Sequence, residues 1–494
     1  MSKKIAFLVP FVLVVVLALM LLVSSGCGNK STPPPDDMNK EVHLTWICVG
    51  DAPKDLPKVM EAVNKYTKEK INATVELKYI TWADYQSKMN AAVSAGDDYD
   101  LCFTSNWTFD YQRYARQGVF YPLNDLTEKY GGDLKKTIDI MPRLIDSAKI
   151  DGNIFAMPVY TYPLQQGWYY NKNIVGKYNF DLAGVTKIED LFPLFDKVKQ
   201  DNPGIICIAD FGTLDGSDKY DWMLSNGLPC AVKLNDASCK VINPYEDQEY
   251  IKILKNKREV YLKGYTYKDV VNNNKDQDFK AGKVLAFVGN YTPSSQIDSN
   301  RGSNVPILVY PAYPRPVSVN MAFGAMMAIN NSSKNPERAY KFMSMLYTDS
   351  KLRNMLGFGI EGIHYQKVAG KENVIKQLPA HADYEVPDWL FGNRLITYTL
   401  DSEPENKWEQ YKKASDIMIW SPLFGFNADI SPVQNEITAM TNVVAKYRDI
   451  LRNGAGDTDA LLTKINTELR AAGMDKFIAE LQKQIDTWKA TGKN

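Results

Sequence analysis

Between residues 42 and 106 the chain reads strand, helix, strand, helix, strand, and this alternation restricts the fold more than any other feature. "VHLTWICVG" (42–50) is an apolar run rich in β-branched residues that stops at Gly50-Asp51, and "PKVMEAVNKYTKEK" (57–70) follows with helical spacing. "ATVELKYI" (73–80) is the second strand. Thr81-Trp82-Ala83-Asp84 has capping-box form ahead of "YQSKMNAAVSAG", and "YDLCFTSN" (99–106) is the third strand. Strands separated by helices of this length predict an α/β fold on a parallel sheet. Ligand sites in such sheets lie beyond the carboxyl ends of the strands. Those ends are Asp51 and the run Asn106-Trp107-Thr108-Phe109-Asp110.

The texture changes near residue 150. "AKIDGNIFAMPVYTYPLQQGWYYNKNIV" joins a hairpin turn at Asp151-Gly152 to an aromatic, proline-containing extended stretch suited to crossing between lobes. A second α/β-like region runs through "GKVLAFVGNYTP" (282–293) to the proline-rich "YPAYPRPVSV". "FGAMMAIN" then leads to a helix with Asn335 as N-cap and Pro336 at its first position. The last third is largely helical, in "SPVQNEITAMTNVVAKYRDIL" and "DALLTKINTELRAAGMDKFIAELQKQIDTWKA", and no repeat of 20 to 50 residues is visible.

The N-terminus has its own logic. Lys3 and Lys4 precede an apolar run from Ile5 to Val23 broken only by Pro10, which is an export leader. Ser24, Ser25 and Gly26 directly before Cys27 resemble the lipobox of bacterial lipoproteins, with Ser24 where leucine is usual. In that reading residues 1–26 are a signal peptide, Cys27 is lipidated, and 27–40, with "STPPPDD", is a flexible tether. The alternative is an uncleaved spanning helix, for which the apolar run is just long enough. A spanning helix, however, has no need of a cysteine between a glycine and a polar tether. Either way the positive-inside bias places everything after residue 27 outside the cytoplasmic membrane.

Charge excludes one class of partner. Lys plus Arg equals Asp plus Glu at 58 each, so without Lys3 and Lys4 the remainder is two charges negative, which argues against a nucleic-acid binder. Six cysteines leave five once Cys27 is lipidated, an odd number for a disulfide framework. Cys230 and Cys239 flank a turn-forming stretch and a local bridge between them is open, whereas Cys48, Cys102 and Cys207 lie in apolar runs as buried thiols.

Enzyme signatures are missing. "GFGIEG" (357–362) has the G-x-G-x-x-G spacing but follows a helix-like segment and no strand, so it lacks the context of a dinucleotide site. There is no G-x-S-x-G, Walker A or H-E-x-x-H sequence. His43, His364 and His381 are too scattered for a zinc site, and His364 reads as a loop residue near Glu361. No metal or other cofactor is expected. A glycosidase needs only two carboxylates and no motif, so it stays as an alternative, as does a peptide-binding lipoprotein.

The order of elements resembles the extracellular solute-binding proteins of ABC importers, the type that includes the maltodextrin-binding protein. The resemblance rests on "AKIDGNIFAMPV" leading into "YYNKNIV", on "FKAGKVLAFVGN", and on "INNSSKNPERAYKFMSMLYTDSKLRNMLGFGIEGIHY". "FGNRLITYTLDSEPENKWEQYKKASDIMIWSPLFGFNADISPVQNEITAMTNVVAKY" resembles the C-terminal region of a carbohydrate-transporter lipoprotein subgroup in Gram-positive bacteria. The family implies a two-lobed periplasmic-binding-protein-like fold with a ligand cleft between the lobes and a helical C-terminal part. Carried onto this chain, lobe one is 41–158 plus 327–385 and lobe two is 160–324 plus 386–494. It also implies a monomer held to the outer membrane face by its lipid, with a carbohydrate ligand and permease subunits as partners.

A sugar cleft needs flat rings against pyranose C–H faces and polar groups for the hydroxyls, because an unsatisfied buried hydroxyl costs a few kcal/mol. The strand ends offer Asp51, Asn106, Trp107 and Asp110. The crossing offers Tyr160, Tyr162, Gln165 and Trp168, and the second region offers Asp210 with Phe211 and Asn290 with Tyr291. Each has a plain alternative: core packing for Tyr160 or Trp168, and a helix cap for Asp51. Trp222 and Trp420 are weaker candidates, and Trp46 and Trp488 are packing residues. Tyr162 stands where the maltodextrin-binding protein has a carboxylate, so a maltose-like ligand does not follow. The many rings favour an oligosaccharide over a free monosaccharide.

Overall fold

A computed structural model of the chain describes residues 36–138, 142–159, 161, 165–211, 216, 218–224, 227–300, 303–313, 317–318, 323–416 and 418–491. The leader, Cys27, Tyr160 and Tyr162 lie outside the described residues. From Met38 onward the chain packs as one compact unit. In chain order its main elements are β1 (Val42–Val49), α1 (Leu56–Ile71), β2 (Ala73–Ile80), α2 (Tyr85–Ala95), β3 (Leu101–Thr104) and α3 (Tyr111–Arg116). There follow β4 (Ala156–Pro158), β5 (Gln165–Asn171), β6 (Ile206–Ile208), α4 (Gln248–Leu262), β7 (Val284–Tyr291), α5 (Ser295–Asn300) and β8 (Ile307–Tyr313). The last are β9 (Met326–Ile329), α6 (Pro336–Thr348), α7 (Ser350–Phe358), α8 (Gln434–Arg452), α9 (Thr458–Ala471) and α10 (Met474–Ala490).

The first sheet has the order β2-β1-β3-β9-β4. β1 runs parallel to β2, from Val42 opposite Ala73 to Val49 opposite Ile80, and parallel to β3. β9 enters antiparallel between β3 and β4. α1 buries Val59, Met60, Val63, Thr67 and Ile71, a helical stripe, and ends at Asn72 in the left-handed region. Trp46 sits at the centre of this core, edge-on to Phe342 and Phe391 at 5.8 and 5.1 Å. The core draws on residues from Val42 to Met157 and again from Phe323 to Phe391, so packing continues on both sides of the stretch 327–385.

The second sheet has the order β8-β5-β7-β6, with β7 antiparallel to β5 and parallel to β6. Its core holds Trp168, Tyr170, Phe195, Ile208 and Phe211. The helical end forms a further core: Met440 of α8, Leu469 of α9 and Leu481 of α10 close over the hairpin Tyr220–Trp222 and Ala231–Lys233. Arg394 bonds Thr161 of the first crossing (3.1 Å). Val317, past β8, exchanges hydrogen bonds with the stretch ahead of α8, donating to the Ile419 carbonyl (2.7 Å) and accepting from the Ser421 N–H (3.1 Å). Asn427 adds a contact to the first lobe: its amide accepts from Gln112 (2.8 Å) and donates to the carbonyls of Ser147 and Lys149 (3.2 and 2.7 Å).

Several local expectations are modified. The Asp151-Gly152 turn forms, with both residues at positive φ and Lys149–Ile150 paired to Asn153–Ile154. The capping box does not form: α2 begins at Tyr85, and the Thr81 hydroxyl bonds the Asp84 carboxylate (3.0 Å) instead. The third strand is shorter than 99–106, because the Asn106 N–H turns to the Phe323 carbonyl (2.9 Å). Cys230 and Cys239 are free thiols, as are Cys48, Cys102 and Cys207. His364 is fully buried and pairs with Asp55 rather than Glu361; its Nδ1 accepts from the Ile360 N–H (2.9 Å), which leaves Nε2 to donate to Asp55 (3.2 Å). Among the described residues no helix is long and apolar enough to cross a membrane, and no cluster of His, Cys, Asp and Glu is suited to a metal.

Candidate functional site

The in-register pairing of β1 and β2 sets their carboxyl ends side by side. Gly50 continues the ladder by donating to the Ile80 carbonyl (2.8 Å). Its φ of +132° suits glycine, and a Cβ there meets the rings of Tyr79 and Trp82 at 3.5 and 3.6 Å. Asp51 and Trp82 thus emerge from neighbouring strands, and Trp107 emerges beyond β3. Trp82 and Trp107 lie roughly parallel with centroids 6.1 Å apart. Trp389, beside the core residues Leu390 and Phe391, completes the group at 5.8 Å from Trp82 and 6.3 Å from Trp107.

These three rings are 42%, 49% and 36% exposed, while Trp46 and Trp168 are at most 1% exposed. Large aromatic side chains normally bury most of their surface, so this open cluster is the candidate for ligand contact. Trp107 is held in place by its Nε1–H to the Gly324 carbonyl (2.7 Å) and by the Phe103 ring at 5.7 Å.

A cavity of about 590 Å³ opens beside the rings, a size suited to a small ligand. Gly50, Asp51, Tyr79 and Trp82 form one wall, the stretch from Glu385 to Tyr411 forms much of the rest, and Asp298 on α5 comes from the second lobe. Among the described residues two ion pairs line it. Arg394 donates from Nε and Nη2 to Asp388 (3.0 and 2.6 Å), and Lys407 reaches both oxygens of Glu403 (2.9 and 3.1 Å). Burial works against the Asp388 carboxylate, yet the Arg394 charge and hydrogen bonds hold its pKa below the ordinary value. Behind it Arg353 is fully buried, donates to the Asp388 carbonyl (2.6 Å) and lies over the Phe391 ring; burial lowers its pKa to about 10.

The sequence candidates divide around this cavity. Asp51 lines it and Trp107 belongs to the ring cluster. Asn106 is half-buried beside Trp107. Asp110 serves its own helix instead, accepting from the Arg113 N–H at the start of α3 (2.8 Å), and burial raises its pKa. Gln165 is buried at the start of β5 and donates to the Ala414 carbonyl (3.2 Å), with Tyr291 opposite it and half-buried. Asn290 is exposed, and its carbonyl accepts from the Tyr169 hydroxyl.

Trp168 and Phe211 require correction, because both are core residues. β5 is flanked by β7 and β8, and the 0% exposed Trp168 packs in mid-strand, while Phe211 is 1% exposed in the same core. Asp210 pairs with Lys275 and with Arg452 of α8 (3.6 Å), which ties the second sheet to the helical end. The sequence reading passed over Trp82, although the strand-end rule that selected Trp107 applies to it equally. It also missed Trp389, Asp388 and Arg394, which lie in a stretch without long strands or helices, and Lys407, which opens the helix Lys407–Asp416.

Comparison with known proteins places this arrangement. A family model described as bacterial extracellular solute-binding protein matches residues 61–380, well over half of the chain. The chain belongs to that family. Residues 422–490 match a second model described only as a domain of unknown function. This solute-binding protein is 30% identical over 472 residues to a carbohydrate ABC transporter substrate-binding protein of Streptococcus pneumoniae, with 94% of each chain covered. Its fold is similar to the crystal structure of the N-glycan transport solute-binding protein NgtS of S. pneumoniae, with TM-score 0.82 and 28% identity, covering 91% of this chain and 99% of that one. The structure of NgtS in complex with Man1GlcNAc matches with TM-score 0.75 at 28% identity, over 90% and 99% of the two chains. The two-lobed fold is thus that of an extracellular solute-binding protein, and the protein is a binder and not an enzyme.

Proposed function

We propose that this solute-binding protein captures an oligosaccharide for an ABC importer, with the Trp82, Trp107 and Trp389 cluster as its stacking platform. The observation that carries the reading is three half-open rings 5.8 to 6.3 Å apart, two of them beyond the carboxyl ends of parallel strands and Trp389 set against them, beside a cavity lined by carboxylates. Pyranose C–H faces gain by covering such rings, and carboxylates accept from sugar hydroxyls. The carbohydrate importer component and the N-glycan binder among its relatives support the same class.

The rest of the proposal concerns delivery. Cys27 carries the lipid and residues 28–37 act as tether, and the receptor works as a monomer at the outer face of the membrane. The lobes close on sugar by hinge motion about the segments that join them, and the closed form is what the permease subunits receive.

The test is a thermal-shift screen of the full chain in mild detergent against oligosaccharides, monosaccharides and short peptides. A ligand at 100 times its Kd stabilises by about 2.7 kcal/mol, which raises the melting temperature by a few degrees. A shift with one glycan class and none with peptides supports the reading. Shifts with peptides alone refute it.

A further inference from the structure

The charges of the cavity narrow the class of sugar, on the reading that it takes a glycan. Among the described residues five carboxylates line it, those of Asp51, Asp298, Glu385, Asp388 and Glu403, against the cations of Arg394 and Lys407. Both cations are committed within the protein. Arg394 spends Nε and Nη2 on Asp388 and Nη1 on the Thr161 hydroxyl. Lys407 spends its ammonium on Glu403, in a pair whose side chains are only 9% and 3% exposed. Drawing Lys407 towards a ligand anion strands Glu403 in a poorly solvated place, which is strongly unfavourable, and drawing Arg394 away takes from Asp388 its charge partner.

The carboxylates that stay open to a ligand are those of Asp51 and Glu385. Asp51 and Glu385 are exposed to the cavity, and among the described residues neither enters an ion pair. Such carboxylates accept hydrogen bonds from sugar O–H and acetamido N–H groups but have nothing to give an anion. His381 also lines the cavity, with its ring against the Gln377 amide.

We propose that this cavity selects uncharged sugars, hexoses and N-acetylhexosamines, and rejects glycans that bring a carboxylate, sulfate or phosphate into it, with Asp51 and Glu385 as the residues that enforce the rejection. The rejection is electrostatic, so salt weakens it wherever solvent reaches between the charges, the screening length falling from about 10 Å at 0.1 M to about 3 Å at 1 M.

The experiment is calorimetric titration of the full chain with the neutral glycan that gives the largest thermal shift and with the same glycan capped by sialic acid. The sialylated form should bind at least about tenfold more weakly in low salt, and the gap should narrow in 0.5 M sodium chloride. The double variant Asp51→Asn, Glu385→Gln should raise the ratio of sialylated to neutral affinity at least about fivefold. Equal or tighter binding of the sialylated glycan overturns the selectivity while leaving glycan capture intact. A sialylated deficit that neither salt nor the double variant reduces overturns the electrostatic cause. Binding of neither glycan refutes glycan capture itself, and the selectivity falls with it.

Discussion

Replacing Trp107 with alanine should weaken oligosaccharide binding by one to two orders of magnitude while leaving the fold standing. A tryptophan side chain offers up to about 250 Å² for burial, and this one is 49% exposed. Roughly 120 Å² of ring is therefore open, and a pyranose face covers about half of it. Counting about 60 Å² from the ring and a similar area from the sugar, at about 25 cal/mol per Å², gives an upper figure of about 3 kcal/mol. Half of that is a fair lower figure, because a partly exposed contact stays hydrated along one edge, so Kd should rise roughly 10- to 150-fold. The fold loses the Nε1–H bond to Gly324 and the contact with Phe103, a cost of about 1 to 2 kcal/mol in a half-exposed position. Calorimetric titration reads the first quantity and urea unfolding the second. Trp107→Phe keeps a stacking face and should recover part of the affinity. An alanine variant that unfolds cooperatively and binds within twofold of the parent refutes the platform.

Three further outcomes can be checked. Burial, offset only by the Ser421 hydroxyl, raises Asp221 from 3.8 to about 6, so the native state holds that proton more tightly than the unfolded chain. Stability from this group is therefore lost as pH rises from about 4 to 6, by up to about 3 kcal/mol. Asp221→Asn should melt higher than the parent at pH 7.5, with the gap closing near pH 4; a gap of the same size at both pH values contradicts this. Asn427→Ala removes the amide contacts with Gln112, Ser147 and Lys149 and should lower unfolding stability by about 1 to 3 kcal/mol, read as the urea midpoint; an unchanged midpoint makes that contact energetically idle. Cys27→Ala should release the protein from the membrane fraction or leave its leader uncleaved, and a trimmed, still-attached product rules out the lipid anchor.

The sequence alone determined what is local. Periodicity placed β1, α1, β2 and α2 and hence the parallel edge of the first sheet, and the rule that ligands sit beyond strand ends pointed to Asp51 and Trp107. Those signals work because burial of one face imposes a period on nearby residues. They do not say whether a ring faces a cavity or a second layer, which is why Trp168 and Phe211 read as site residues and fold as core.

Tertiary structure decided the rest. β9 reaches the sheet from more than two hundred residues beyond β3 to lie beside it, and the stretch from Glu385 to Tyr411 brings Trp389 to the ring cluster and Arg394 and Lys407, the latter opening a helix, to a cavity whose other wall is Asp51 and Trp82. Proximity between segments so far apart follows from how two cores pack and where the chain crosses between them. No window of the sequence contains both partners, so no local pattern records the contact.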